Sequence, residues 1–314
     1  MNTMAISSRA PGTAWGRFTR VLLGGAMAAA LSLAACGGSD VDRGPTTIPI
    51  TAKLNGLYWD ADEARLYLTD DATNTIKVWN GDQGFDVRAT LPPAPASGAT
   101  LGQLTRAADG TFYTTRFGFG TDGTVVAVPK TGVPFNLNGL DALRRRIGIT
   151  TTPDGALVDG WFIKGGTGSV SQLAVNGSQG SEQELITGLG KPVGLAVTGG
   201  RIIVTDQNTA RVTAYSLADA RVQPLAAASG QVLATFTTLD GLDLMTAGPD
   251  GTLYMGGSGG TLYQVSSNGA VKTLVTGWPG IRGVAVDAAN RRLFVAVVGA
   301  QAADPSSIRI VPLD

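Results

Sequence analysis

Six glycines recur through this chain at near-constant spacing, and the residues just ahead of them are Asn55, Leu101, Ile147, Val193, Asp240 and Arg282. If each glycine opens an equivalent strand, these six side chains ring one end of a common axis. Asn55, Asp240 and Arg282 then fall on three consecutive units, placing an amide, a carboxylate and a guanidinium beside three apolar neighbours. That mixture suits a small site with a few orienting groups. It predicts that the three residues bind a polar ligand or loosely hold a cation such as calcium. The competing reading is an ordinary charge pair between Asp240 and Arg282 on adjacent strands.

The rest of the composition narrows the chemistry. The chain has no histidine, which excludes a Ser-His-Asp or Cys-His centre and any site built on imidazole ligands. Its single cysteine is Cys36. Gly165 to Ser169 (G-G-T-G-S) is glycine-rich but lacks the following lysine and joins strands rather than opening a helix, so it is no phosphate cradle. With 24 basic and 24 acidic residues there is no basic footprint for nucleic acid. Carboxylate and amide chemistry remains, which fits a hard cation or plain binding. Two stretches stand apart. Arg116 to Gly123 (R-F-G-F-G-T-D-G) is a long turn with two phenylalanines, a binding lip or simple packing. Arg144-Arg145-Arg146 is either an anion site or a solvated loop, and short charge runs are usually the latter.

The elements that must position these residues are strands. The glycines Gly56, Gly102, Gly148, Gly194, Gly241 and Gly283 are 46, 46, 46, 47 and 42 residues apart. After each come short runs rich in Val, Ile, Leu and Thr, broken by Gly, Asp and Asn, the mark of an antiparallel meander. A period of this length with about four strands per unit predicts an all-β, six-bladed β-propeller. Two stacked β-sandwiches are the alternative, but their strands rarely keep so even a spacing. The last unit has only three strands, so Thr46 to Ala52 is expected to supply its outer strand and close the ring against Ile308 to Pro312. The one short helical turn expected is Asp141 to Arg146.

Residues 1 to 35 stand outside that pattern. Arg9, Arg17 and Arg20 lead into an apolar, small-residue run from Val21 to Ala35 that is too short for a permanent membrane span. The run ends Leu33-Ala34-Ala35-Cys36 and resembles a bacterial lipoprotein signal with its lipobox. The resemblance implies cleavage before Cys36, lipidation there, and an anchor of several acyl chains. Gly37 after the cysteine implies the outer membrane, facing the periplasm. Residues 36–45 form a flexible tether, residues 46–314 the propeller, and the mature chain carries a net charge of −3.

The quoted units N-G-L-Y-W-D, P-V-G-L-A-V and L-D-G-L-D-L resemble the SMP-30/gluconolactonase group of six-bladed propellers, with NHL-like propellers close behind. That resemblance implies a divalent cation at the channel mouth, held by a Glu, two Asn and an Asp. Here the Glu position is Asn55, the two Asn positions are Ile147 and Val193, and the Asp is Asp240. Paraoxonase-like lactonases, streptogramin lyases and quinoprotein sugar dehydrogenases look similar in fold but depend on histidines absent here. Strictosidine-synthase-like propellers use a glutamate, and Glu63, Glu182 and Glu184 all fall in turns or outer segments. Two readings follow. One is a lipid-anchored envelope propeller that binds a small polar ligand or an envelope protein. The other is a divalent-cation-dependent hydrolase of lactonase type.

The anchor is directly testable. The wild-type chain is expected to begin at Cys36 and to fractionate with membranes, and Cys36→Ser to abolish both; a freely soluble wild-type protein with another first residue refutes the anchor.

Overall fold

The computed structural model describes residues 47–81, 84–299 and 306–313. Residues 1–46, with the leader, Cys36 and the tether, lie outside the described residues. Within them, no helix is long and apolar enough to cross a membrane.

Five of the six blades are four-stranded antiparallel sheets; the third carries a fifth strand, Leu225–Ala226, paired parallel to Gln179–Leu189. The innermost strands are Leu54–Asp60, Leu101–Arg106, Arg145–Thr151, Pro192–Thr198, Leu242–Ala247 and Ile281–Asp287. They pack against one another in chain order, the last against the first. Alternate side chains along a strand point to opposite faces, and here both faces are covered by neighbouring blades. That is why Val193, Leu195 and Ala196 are all buried in one stretch.

The sixth blade is closed by the start of the propeller. Thr47–Ile50 pairs antiparallel with Ser306–Pro312, with Thr47 opposite Arg309 and Ile50 opposite Ser306. Ile48 and Ile50 are buried against Leu66, Phe294 and Ile308. The expected closure is therefore present, and the last strand has a partner on each side.

A shared backbone contact holds the inner strands together. At five of the six, a glycine lies where a Cβ would run into the next blade's main chain. For Gly194 the obstructing atoms are the Asp243 carbonyl at 2.7 Å and the Met245 nitrogen at 3.0 Å; for Gly148 it is the Val193 carbonyl at 2.8 Å. Gly56, Gly102 and Gly283 are tighter still, against the carbonyls of Gly102, Ile147 and Asn55. A threonine on the second strand completes the joint. Thr205 Oγ1 accepts from the Gly194 amide at 2.7 Å and donates to the Asp243 carbonyl at 3.1 Å. Thr69 does the same between Gly56 and Gly102, and Thr115 donates to Ile147. The hydroxyl thus satisfies a buried amide and a buried carbonyl that the irregular register leaves without ladder partners.

Two expectations need correction. Asp141 to Arg146 is not helical. The Asp141 side chain accepts from the Leu143 amide at 2.9 Å, which makes a turn, and Arg145 already pairs with Phe162 in a strand. The α-helix that does form is Leu217–Val222, capped by Ser216, whose hydroxyl accepts from the Asp219 amide at 3.2 Å. Nor are the three arginines a solvated loop. Arg146 is fully buried and ion-paired with Asp159 and Glu182, while Arg144 reaches Glu182 and Glu184 and lies over the Trp161 ring at 3.6 Å. A guanidinium out of water must be matched by carboxylates close by; the strand Leu157–Phe162 supplies Asp159 and the strand Gln179–Leu189 supplies Glu182 and Glu184.

The axial contact sets a stability prediction. Gly194→Ala forces a methyl onto rigid backbone and is expected to cost about 2 kcal/mol or more. Gly166→Ala, where the nearest atom to a new Cβ is an ordinary 3.4 Å away, should stay within about 0.5 kcal/mol. Urea unfolding of the two variants checks this; equal losses would show that the axial approach is not a constraint.

Candidate functional site at the channel mouth

The inner strands all begin at the same end of the axis, and there they surround an open cavity of about 1090 Å³. Asn55, Leu101, Ile147, Val193 and Arg282 line it, as their spacing predicts. Asp240 does not. It ends a short 3-10 turn, Thr238–Asp240, where its carboxylate accepts from the Thr237 amide and hydroxyl at 2.8 Å and from the Tyr263 hydroxyl at 2.6 Å. Burial alone would push the Asp240 carboxyl up; these hydrogen bonds outweigh it and hold it below the usual range.

The carboxylate that faces the mouth is Asp243, three residues on. In this blade the axial contact is made around Leu244 instead of a glycine, while Gly241 sits at φ +53° and terminates the 3-10 turn. The order Asp-Gly-Leu-Asp-Leu therefore offers two candidate carboxylates, and only the register of the strand selects the second. Asp243 Oδ2 lies 2.7 Å from Nη1 of Arg282. The expected pair of Asp240 with Arg282 does not form: Asp240 is engaged by Thr237 and Tyr263, and Arg282 pairs with Asp243. Burial pushes the Asp243 carboxyl up, and the Arg282 guanidinium pulls it back only in part.

Loops at the mouth add residues that spacing did not single out. Asp71 follows the second strand of blade one; its Oδ1 accepts from the Leu101 amide at 2.5 Å and its side chain is 8% exposed. Burial raises this carboxyl to about 6, the Leu101 amide and Lys53 opposing. Lys53 is its counterion, 4.0 Å away and largely in solvent. Lys191 precedes the inner strand of blade four. Its ammonium donates to the Gln207 side chain at 2.5 Å and lies 5.5 Å from the Phe162 ring, and no carboxylate is within ion-pair distance of it among the described residues. Burial depresses its pKa, with Asp243 opposing. The Asp70-Asp71 pair at a strand end was the available signal for the first residue; nothing in the sequence marked the second.

The cup has a floor. Gln103, on the inner strand of blade two, reaches across the axis: its Nε2 donates to the Met245 carbonyl at 3.0 Å, and its Oε1 accepts from the Ile149 amide at 3.3 Å. A separate cavity of about 230 Å³ lies along the later residues of the inner strands, bordered by Gln103.

The donor set does not fit the divalent site that the resemblance implies. Ile147 and Val193 offer no side-chain oxygen. The Asn55 amide is turned to the Leu101 carbonyl, 2.6 Å from its Nδ2. The one carboxylate of the ring already holds a guanidinium. Among the described residues no group of three or more carboxylate, imidazole or thiolate side chains converges. Calcium needs six to eight oxygens, and the cationic partner of Asp243 would repel it.

No family model matches the chain, and no curated protein matches it. Among solved structures, the fold is similar to a gluconolactonase from Xanthomonas campestris, 19% identical with a TM-score of 0.64, covering 83% of this chain and 87% of that one. It is also similar to the calcium-binding regucalcin of Agrobacterium tumefaciens, 17% identical with a TM-score of 0.62, over 85% and 94% of the two chains. A PQQ-bound aldose sugar dehydrogenase from Streptomyces coelicolor is 14% identical with a TM-score of 0.66, over 85% and 96%. The resemblance to gluconolactonase-like six-bladed propellers thus holds at the level of fold.

Asp71 supplies a pH test. Its folded pKa, about 6, stands above the ordinary 3.8, so the native state holds the proton more tightly than the unfolded chain does. Stability from this group is fully present below about pH 4 and falls as pH rises toward 6. Asp71→Asn keeps an acceptor for the Leu101 amide and should remove that fall, leaving the variant more stable than wild type at pH 8. Thermal midpoints from pH 4 to 8 decide it; parallel curves would show that the carboxyl is not perturbed.

Proposed function

We propose that this chain is a ligand-binding propeller, held in the cell envelope by a lipid at Cys36, whose channel mouth takes a small organic anion. The observation that supports this reading most is the Arg282–Asp243 pair in the ring. It puts a fixed guanidinium, 46% exposed, where the divalent chemistry of related folds would need oxygen ligands. Of the charged side chains that line the cavity, Lys53 is set against Asp71, Arg282 against Asp243 and Arg146 against Asp159 and Glu182, which leaves the Lys191 ammonium without a carboxylate in ion-pair range among the described residues. A half-buried cation facing only an amide and an aromatic ring gains most from an anion that enters the cup. A guanidinium already oriented by a carboxylate needs little reordering to meet a second one.

The second reading, a divalent-cation-dependent lactonase, draws on the gluconolactonase and regucalcin among the structural neighbours. It keeps Asn55 and Asp240 as metal residues and Asp240 as base. Asp240 is engaged by three donors away from the cup, so Asp243 would have to replace it, and Asp243 is held by Arg282.

The two readings separate in one set of measurements. Calorimetric titration of the tether-deleted protein with calcium is expected to give no saturable heat, and glucono-lactone hydrolysis to stay at the buffer rate with or without added cation. Citrate and gluconate should raise the thermal midpoint. At a hundredfold excess over Kd, binding contributes about 2.7 kcal/mol, or roughly 5–10 °C for a chain of this size. Lys191→Gln and Arg282→Gln should each reduce that rise. Saturable calcium binding, or hydrolysis that calcium stimulates, would instead establish the lactonase reading.

A further inference from the structure

One side of the cup carries an aromatic cluster that the anion site alone does not explain. Phe117 is the aromatic side chain that borders the cavity. Its ring meets Phe119 edge-on at 5.0 Å and Phe162 at 5.8 Å. Two cations are set into this cluster. Lys191 lies 5.5 Å from Phe162; Arg145 lies 5.3 Å from Phe117 and 5.9 Å from Phe162. Arg145 is flanked in sequence by arginines that are both held by carboxylates, yet its own polar partner is the Phe119 carbonyl at 2.8 Å, with no carboxylate in ion-pair range among the described residues.

The backbone of the cluster is itself unusual. Phe119 sits at φ +51°, ψ +14°, a left-handed conformation that costs a bulky side chain about 1–3 kcal/mol. Its neighbours Gly118 and Gly120 also have positive φ, and Gly118 is packed against Gly123. The result of that strain is not burial. Phe119 is 46% exposed, with its ring edge-on to Phe117, which borders the cavity. Core packing does not account for a phenylalanine left half in water, whereas a ring beside the cavity that waits for an apolar surface accounts for both its exposure and its strained backbone.

We infer that the preferred ligand is an aromatic carboxylate: a flat, apolar ring packed on Phe117 and covered by Phe119, with its carboxylate turned to Lys191 and Arg282. This rests on the anion-binding reading above and adds the body of the ligand to its charged end. The ring's quadrupole gains from the cations already stacked in the cluster, since an aromatic ring is attracted to a guanidinium or ammonium near its face. Aromatic pairs contribute about 0.5–1.5 kcal/mol beyond the area they bury. The cavity volume of about 1090 Å³ leaves ample room for a fused two-ring acid.

The test uses 1-naphthoate and gluconate as probes, with the tether-deleted protein and calorimetric Kd values at fixed salt. Naphthoate is expected to bind at least tenfold more tightly than gluconate. Phe117→Ala should weaken naphthoate by about 3–10-fold and leave gluconate unchanged, while Phe117→Trp restores naphthoate binding. Phe119→Gly should weaken naphthoate and raise the thermal midpoint of the unliganded protein, because it relieves the left-handed strain. Lys191→Gln should weaken both probes. If gluconate binds as tightly as naphthoate and Phe117→Ala affects neither, the aromatic inference falls and the anion reading stands. If neither probe binds the wild-type protein at millimolar concentration, the anion reading falls with it.

Discussion

The structure depends on the approach of one blade's backbone to the next at the axis. A carbonyl lies where the neighbouring inner strand would carry a side chain, and glycine is the residue that permits it at five of the six joints. That approach fixes how closely the inner strands converge, so it also fixes the width of the channel. It fixes the direction of the preceding residue as well. With the glycine pressed against the adjoining backbone, the side chain before it has only the mouth to occupy, which is why Asn55, Ile147, Val193 and Arg282 all line one cavity. The threonine hydroxyls on the second strands make the contact affordable by satisfying the amide and carbonyl that the register shift frees.

This accounts for what the sequence discloses and what it conceals. Period and glycine position expose the blade count, the closure by Thr47–Ile50 and five members of the ring, because all of these follow from the backbone. Blade five breaks the rule. The helix Leu217–Val222 and the turn at Ala227–Ser229 lengthen blade four, and Leu244 stands where a glycine is expected. The nearby Gly241 then attracts the alignment, and with it Asp240. What identifies Asp243 is the contact of its carbonyl with Gly194 and Thr205, a through-space fact that no spacing rule contains. Arg146 was hidden for a similar reason. Its acids lie 13 and 36 residues away, and only the pairing of strands in blade three brings them together.

Charge is distributed around the cup by the same repeat. Where the second strand meets the mouth, blades one and four end in Asp70 and Asp206, which accept from loop amides: Lys53 and Ala72 for the first, Gly190, Lys191 and Asn208 for the second. Blade two has Arg116 at the corresponding place, opposite Leu101 as Asp70 is opposite Leu54. Its guanidinium donates to the Asn74 side chain and to the carbonyls of Pro92 and Pro93. A loop-holding anion has been exchanged for a loop-holding cation, and the stiff proline connector is the acceptor that makes the exchange possible. On blade three the neighbouring arginine that reaches the mouth, Arg146, is instead buried and matched by Asp159 and Glu182.

On the proposed reading, two cations at the mouth differ in how they would meet a ligand. Arg282 and Asp243 are oriented by each other before any ligand arrives, so the guanidinium is fixed, and a second carboxylate can join it without first ordering the side chain. Lys191 is different. Burial already disfavours its charge, with Asp243 opposing, and among the described residues the ammonium meets the Gln207 amide and the Phe162 ring. An anion restores the lost solvation, whereas a neutral molecule of the same size leaves the ammonium as poorly matched as before. A metal cation would add to the repulsion. On the proposed reading, selection by the mouth comes from the half-buried Lys191 ammonium, which has no carboxylate within ion-pair distance among the described residues.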